Sequence, residues 1–335
     1  MTIAIRRKRI ALFPAHAQIP PLSINFAALA DGAVPAQFYA PTWSIQNSKL
    51  VNTPTLGAES LTNGNMETGN PPSNWTSIGS CVLAQVSDGG SNVLSIAPIS
   101  NYTGAQNVTA AAAVGAWYLS VAVVRVVSGG GQVYLNVSNG GNSVNSDIIS
   151  AATYTTIAVA MRAAAATDVR QKIISTLAGN VCYADNDSVK AMSLATLFNS
   201  LNARISGINL IAPVISTLAT ATQAGIVICL DSATSPQNFV LAYCDGLGNV
   251  KIEKCVAGTY TPLSTVATTY GATKYFSAKK SGSSISIYYG TTDFGTLIAT
   301  VTVPDASIVN NVRHGLFSTY SGNQFAGLFS VAPYS

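Results

Sequence analysis

The sequence predicts an all-β protein: two β-sandwich domains, one inserted into the other. Three observations carry this expectation. From residue 25 onward, short apolar or alternating runs are separated by clusters of Gly, Asn, Ser and Pro, the pattern of strands joined by turns. At 335 residues the chain exceeds one ordinary sandwich and suits two. Residues 61–75 (LTNGNMETGNPPSNW) and 185–194 (DNDSVKAMSL) read as the opening and closing strands of one sandwich, yet strand-like sequence continues on both sides. The expected division is a basic arm over 1–22, an outer sandwich from 23–57 plus 195–335, and an inserted sandwich over 58–194. On this reading Trp43 shares a core with Phe239 and Phe317.

The elements follow in order. WYLSVAVVRVV (117–127) and QVYLNVS (132–138) flank SGGG and predict a hairpin. TTIAVAMRA (155–163) is a further strand. DVRQKIISTL (168–177) fits an amphipathic helix or a strand, and its place before a closing strand favours the strand. AGIVICLDS (224–232), NFVLAYCDG (238–246) and VKIEKCV (250–256) come next, the last two joined by DGLGN. KYFSAKKSG, SISIYYG and LIATVTV continue a meander that HGLFSTYSG and FAGLFSVAP close. SLATLFNSLNARISGINLI (193–211) begins like a helix, so a short helical turn is expected, then a strand from Ile205. No fixed-period repeat is visible, which excludes solenoids and propellers.

Composition narrows the function classes. Hydrophobic residues make up 48% and charged residues only 9%, against roughly 25% charged in ordinary globular chains. A surface of hydroxyls and amides repels weakly at a distance and points to assembly into something larger. No stretch approaches the roughly 20 apolar residues of a spanning helix, so no membrane is implied. Arg6, Arg7, Lys8 and Arg9 supply four of 17 basic residues, and the other 13 balance 13 acids. A nucleic-acid binder carries a basic face on the fold itself; here the cluster is an arm, read as a docking or flexible tail. RRKR, IALF and AHA imitate a signal peptide, but four apolar residues before Pro14 fall short of the usual run of about 7–15. Five cysteines, without a C-x-x-C pair, read as small buried apolar residues. If a bridge exists, Cys81 with Cys182 is the expected pair. His16 and His314 are too few for a zinc site.

Two resemblances follow from these residues. Asn63, Gly64, Glu67, Gly69 and Trp75 match the N-G-x-F-E-x-G opening and following Trp of the jelly-roll, galactose-binding-like carbohydrate-binding modules, with Met66 in place of Phe. Asp185, Asn186, Asp187, Ser188 and Val189 resemble their D-D-V-S-L closing strand. The match spans roughly 58–193. The flanking segments resemble the concanavalin A-like, laminin-G-like lectin sandwich, through TWSIQNSKLVNTP, Asn238-Phe239, Asp245-Gly246 and His314-Gly315-Leu316. This pairing is similar to that in bacteriophage virion-associated proteins and large bacterial surface proteins. In the jelly-roll modules a structural Ca²⁺ ties the first strand to the last; the resemblance assigns Glu67 and Asp187 as its side chains, with Asp185 a substitute. Two carboxylates with carbonyls and water could supply the six to eight oxygens. The alternative is that these residues only cap turns.

Catalysis is disfavoured. Glycosidic hydrolysis generally needs two carboxylates, and the chain holds three Glu: Glu59, Glu67 and Glu253. Glu253, flanked by lysines, reads as a surface ion pair. Sugar binding needs aromatic platforms with amides and acids. Among Trp75, Trp117, Tyr102, Tyr134 and Tyr154, the two Trp read as core, and Tyr102 and Tyr134 are the candidate glycan contacts. Tyr320, in STYSGN, is the candidate in the outer sandwich. His314 beside Gly315 reads as a satisfied structural residue.

These features imply a non-enzymatic structural or adhesive protein of a phage particle: a decoration, fibre or tail-associated subunit on the virion surface. Its arm would dock other virion proteins, its sandwiches would meet a cell-surface glycan or neighbouring subunits, and a homo-oligomer, a trimer first, would add avidity. A secreted bacterial carbohydrate-binding protein is the alternative, and a glycoside hydrolase the third.

Overall fold

The computed structural model describes residues 22–334. Arg6, Arg7, Lys8 and Arg9, expected to dock a partner, lie outside the described residues. Five antiparallel sheets account for the strands. Sheet I runs Asn142–Asn145, Val133–Asn139, Asp168–Ser175, Thr103–Ala111, Thr76–Ile78. Sheet II runs Thr155–Arg162, Trp117–Ser128, Val181–Met192, Ser91–Pro98, Cys81–Asp88, with Leu56–Glu59 also pairing to Val181–Met192. Sheets I and II enclose one core, holding Trp75, Leu94, Val124, Leu135 and Ile173.

Sheet III has seven strands: Thr259–Ala267, Asn249–Val256, Phe239–Cys244, Ala224–Leu230, Arg313–Ser318, Phe198–Asn202 and Phe38–Tyr39. Sheet IV orders Leu22–Asn25, Leu328–Pro333, Ile208–Ile211, Tyr275–Ser281, Ser284–Gly290 and Leu297–Thr302. The small sheet V joins Val214–Thr217, Gln324–Ala326, Lys49–Asn52, Trp43–Gln46 and Gly32–Ala33. A second core lies among sheets III, IV and V, with Trp43, Ile226, Phe276, Ile287 and Phe329. Asn47 and Ser48, both at positive φ, turn the hairpin between Trp43–Gln46 and Lys49–Asn52, as a two-residue turn matched to strand twist requires.

A third apolar layer joins the two sandwiches. In Trp117–Ser128, Tyr118, Ala122 and Val124 face the core between sheets I and II, while Trp117 and Leu119 face the other way. Phe239, Leu241 and Tyr243 likewise point out of sheet III, and Val240, Ala242 and Cys244 point in. The outward sets meet around Phe198 and Phe317, with Phe198 at 5.2 Å from Phe239 and Trp117 at 5.8 Å from Phe317. This explains why WYLSVAVV and NFVLAYC show no apolar/polar alternation. A strand buried on both faces needs apolar side chains at every position. Each large side chain so buried contributes roughly 1.5–3 kcal/mol.

Several expectations are corrected. Trp117–Ser128 and Val133–Asn139 do not form a hairpin: the first pairs within sheet II, the second within sheet I. Gly129 and Gly130, at positive φ, arch the chain from one sheet to the other. Trp43 does not share a core with Phe239 and Phe317. It packs on Phe325 at 5.8 Å, and the strand neighbours Val240, Ala242 and Leu316 line its core instead; the two phenylalanines lie on the opposite face of sheet III. The strand expected from Ile205 is replaced by Phe198–Asn202 and Ile208–Ile211, after a 3-10 turn at Leu194–Leu197. A helical turn at Ala306–Val309, closed on the Asp305 carbonyl, had no signal beyond Pro304-Asp305. The cysteines follow the expected reading in part: Cys182, Cys229, Cys244 and Cys255 are buried, Cys81 is partly exposed, and all five are free.

Candidate functional site

Alternation along sheet I builds an exposed face. Val133, Leu135 and Val137 enter the core, so Tyr134, Asn136 and Ser138 face outward. Residues directly opposite across a sheet share a face, and the register sets them in rows. Tyr134 lies beside Ile174 and Gly104. The next row is Asn145, Asn136, Lys172, Gln106 and Thr76, and the third includes Ser143, Ser138 and Arg170.

At the Tyr134 end a groove of about 650 Å³ is lined by Tyr102, Tyr134, Asn101, Gln132, Asn145 and Leu177, among others. Tyr102 stands at positive φ and is 68% exposed. Its loop is fixed from both sides: Thr103 Oγ1 donates to the Ser100 carbonyl at 2.8 Å, and Asn101 Oδ1 accepts from Ala178 N at 2.8 Å. The glycine arch is also held, by Gly131 N donating to Asn180 Oδ1. A Cβ at Gly131 would sit 2.7 Å from the Asn180 side chain. Burial, then the nearby Tyr102, pushes the Tyr134 phenol up. Asn136 donates to Ser143 Oγ at 2.7 Å and to Asn145 Oδ1 at 2.6 Å. The groove is therefore a largely preset combination of two phenol rings and several amides.

A second depression of about 370 Å³ lies at the other end of the face, lined by Ser138, Asn142, Ser143, Arg170 and Lys172, among others. Asn139 shapes its rim, accepting from Ala164 N and Ala165 N and donating to the Thr167 and Asp168 carbonyls. Sequence reasoning missed Arg170 and Lys172, although their i, i+2 spacing in DVRQKIIS puts both on one face of a strand.

The residues assigned to calcium sit where the opening and closing runs meet. Asp187 N donates to the Gly64 carbonyl at 2.8 Å, and Ser60 N to the Val189 carbonyl at 2.9 Å. Gly64 must be glycine, because a Cβ would lie 2.0 Å from the Asp187 carbonyl. Asp187 is buried, and among the described residues no donor reaches either of its carboxylate oxygens. Burial, then the charges of Asp185 and Glu59, hold its carboxyl well above the usual range. Asp185 accepts from Asn186 N at 2.7 Å, and Glu67 from Asn92 Nδ2 at 2.7 Å. Asn107 Oδ1, another buried oxygen, also lacks a donor among the described residues. Asn107 is anchored to Thr62, two residues from Gly64. Orphaned oxygen acceptors suit a hard cation, and Asp187 fits one as no other residue of the assigned set does. Among the described residues no group of three or more His, Cys, Asp or Glu gathers as a metal shell.

Other candidates stand apart from the groove. Trp75 fills the core between sheets I and II and donates to the Asn63 carbonyl at 3.2 Å. Tyr154 donates to Asp88 at 2.7 Å beneath Arg125. Tyr320 packs against the apolar layer between the sandwiches, where burial raises its phenol pKa. His314 is buried, accepting from Cys229 N and paired to the Ile205 carbonyl, and desolvation lowers its pKa to about 4. Glu253 is not in a surface pair. Its side chain is 7% exposed, and it accepts from both terminal nitrogens of Arg162 and from the Tyr243 hydroxyl.

No family model matches the chain, and no curated protein does. Among solved structures, the CBM22-1 xylan-binding domain of Paenibacillus barcinonensis Xyn10C is similar at TM-score 0.34 and 11% identity, covering 42% of this chain and 97% of that one. TmCBM61 in complex with β-1,4-galactotriose is similar at 0.31 and 14%, covering 40% and 98%. The enzymatically active domain of Bacteriophage CBA120 tailspike protein 4 is similar at 0.34 and 10%, covering 40% and 21%.

Proposed function

We propose that the sandwich of sheets I and II binds a glycan along the exposed face of sheet I, with Tyr102 and Tyr134 as its stacking platform. The observation that carries this is that two tyrosines far apart in sequence line one groove together with Asn101, Gln132 and Asn145. Phenol rings stack on sugar faces while amides read hydroxyls, and sheet I supplies both on a rigid surface. Calcium held by Asp187 would brace the meeting of the opening and closing runs, with Asp185 and Glu67 nearby.

The role is that of a non-enzymatic adhesive or structural subunit of a phage particle, docked through its basic arm and displayed as a homo-oligomer. Low charge and the jelly-roll and lectin resemblances support it. The glutamates support a binding rather than a catalytic role: Glu59 accepts from Ser60, Leu61 and Val189 amides, Glu67 from Asn92, Glu253 from Arg162 and Tyr243. Retention on a panel of immobilised polysaccharides tests the reading. Wild type is expected to bind at least one member without releasing reducing ends, and Tyr134→Ala to lose that binding at unchanged melting temperature. Equal retention of the variant would overturn it.

A further inference from the structure

We infer that the glycan held on sheet I carries carboxylates, as a polyuronate does, and that its charged group lies over Lys172 and Arg170. This rests on the glycan-binding reading above and adds the ligand class.

Lys172 occupies the middle of the exposed face, between Asn136 on one neighbouring strand and Gln106 on the other. Among the described residues it makes no ion pair, whereas Arg170, one row along, pairs with Asp168 through Nε at 2.6 Å. That contact leaves the terminal nitrogens of Arg170 without a carboxylate among the described residues. The face thus carries two cations against one acid. Both cations line the second depression, where Ser138, Asn142 and Ser143 offer hydroxyls and an amide, and Gly141 leaves the rim open.

The two depressions lie at opposite ends of one strand. Tyr134 and Ser138 are four residues apart, roughly 13 Å along the sheet. A chain of sugars, rather than a single ring, spans that distance. Stacked at Tyr134, it would pass the Asn136 and Asn145 amides and bring a charged substituent to Lys172.

A neutral glycan fits this face less well. Burial and the neighbouring Arg170 already lower the Lys172 pKa, so its charged form is under strain. Covering it with a neutral sugar would desolvate the ammonium further without a counter-charge, which is costly. A carboxylate would relieve both effects through a charge-assisted hydrogen bond.

Affinity electrophoresis of the full chain tests this, in gels containing polygalacturonate, alginate or hyaluronan, and in gels containing neutral galactan, xylan or dextran. At least one polyuronate is expected to retard the protein, with retardation falling sharply between about 20 and about 300 mM NaCl. Lys172→Gln should weaken that binding about five- to tenfold, Arg170→Gln less, each at unchanged melting temperature. Retardation by neutral glycans alone, or an unchanged Lys172→Gln variant, overturns the carboxylate assignment while leaving the glycan site standing. Equal binding to dextran sulfate also overturns it. No retardation in any gel overturns both the assignment and the proposed function.

Discussion

Arg162 of sheet II and Glu253 of sheet III form a bidentate ion pair across the seam between the two sandwiches, with both N–O distances 2.8 Å. The Tyr243 hydroxyl donates to the same carboxylate at 2.9 Å, and the Arg162 guanidinium lies 4.0 Å from the Tyr260 ring centroid. The charges sit beside the apolar layer of Trp117, Phe198, Phe239 and Phe317. The seam is therefore apolar at its centre and ion-paired at its side.

Removing one partner would leave a buried charge unpaired. Arg162→Ala is expected to cost about 3–5 kcal/mol, and to separate the unfolding of the two sandwiches. Differential calorimetry would then show two transitions in place of one. Arg162→Met with Glu253→Leu should recover much of the loss. A single unshifted transition in Arg162→Ala would show that the pair adds nothing to the seam.

Tyr102 and Tyr134 should separate binding from stability. Tyr102 is exposed in a loop and Tyr134 is only half-buried. Tyr102→Ala is expected to weaken glycan binding about three- to tenfold, the scale of one aromatic contact, with no change in melting temperature. Isothermal titration on a polysaccharide retained by wild type gives the number.

Asp187 makes stability depend on both pH and cation. Its folded-state pKa lies well above 3.8, so in chelator the native state holds a proton that the unfolded state has released. Stability from that proton is complete below the unfolded value and is lost as pH rises through the folded one. Wild type in chelator should therefore lose melting temperature relative to Asp187→Asn as pH rises from the ordinary carboxylate range through the raised folded-state value. Millimolar Ca²⁺ should reverse the order, stabilising wild type and leaving the variant unmoved. Identical wild-type melting curves with and without Ca²⁺ would count against the cation.

His314 acts in the opposite sense. Its folded pKa of about 4 lies below the unfolded 6.5, so the unfolded state takes up the proton first. The stability of the neutral ring is present above about pH 6.5 and is lost as pH falls toward 4. At about pH 4.5 the loss is on the order of 2–3 kcal/mol. Urea midpoints with saturating Ca²⁺ should fall between pH 7.5 and 4.5, and less steeply in His314→Gln.

Part of the geometry around the proposed site was legible in the chain. NGNMETG and DNDSV predicted that two runs meet, and Gly64 against Asp187 is that meeting. The choice of Tyr102 and Tyr134 over Trp75 and Trp117 followed from the apolar strand around Trp117 and, for Trp75, from the jelly-roll resemblance, and both tryptophans are buried. Lys172 was readable in principle, since Arg170 and Lys172 share a strand face. Its significance was not, because the missing acid is a property of the neighbouring strands. Glu253 misled for the same reason: Lys251 and Lys254 flank it in sequence, yet its partner, Arg162, comes from the other sandwich.

By itself the sequence determined the all-β class and several of the strands, such as Trp117–Ser128, Phe239–Cys244 and Asn249–Val256, because alternation and apolar runs act over a few residues. Which face of a strand meets which core was decided by tertiary structure. The glycine arch after Ser128 sends one strand to sheet II and the next to sheet I, where a hairpin would have kept them together. Phe239 and Val240 are adjacent in the chain but lie in different apolar layers, and only the stacking of sheet II on sheet III creates the layer that Phe239 fills. Side-chain direction along a strand is local, whereas what waits on either side of a sheet depends on residues far away in the chain.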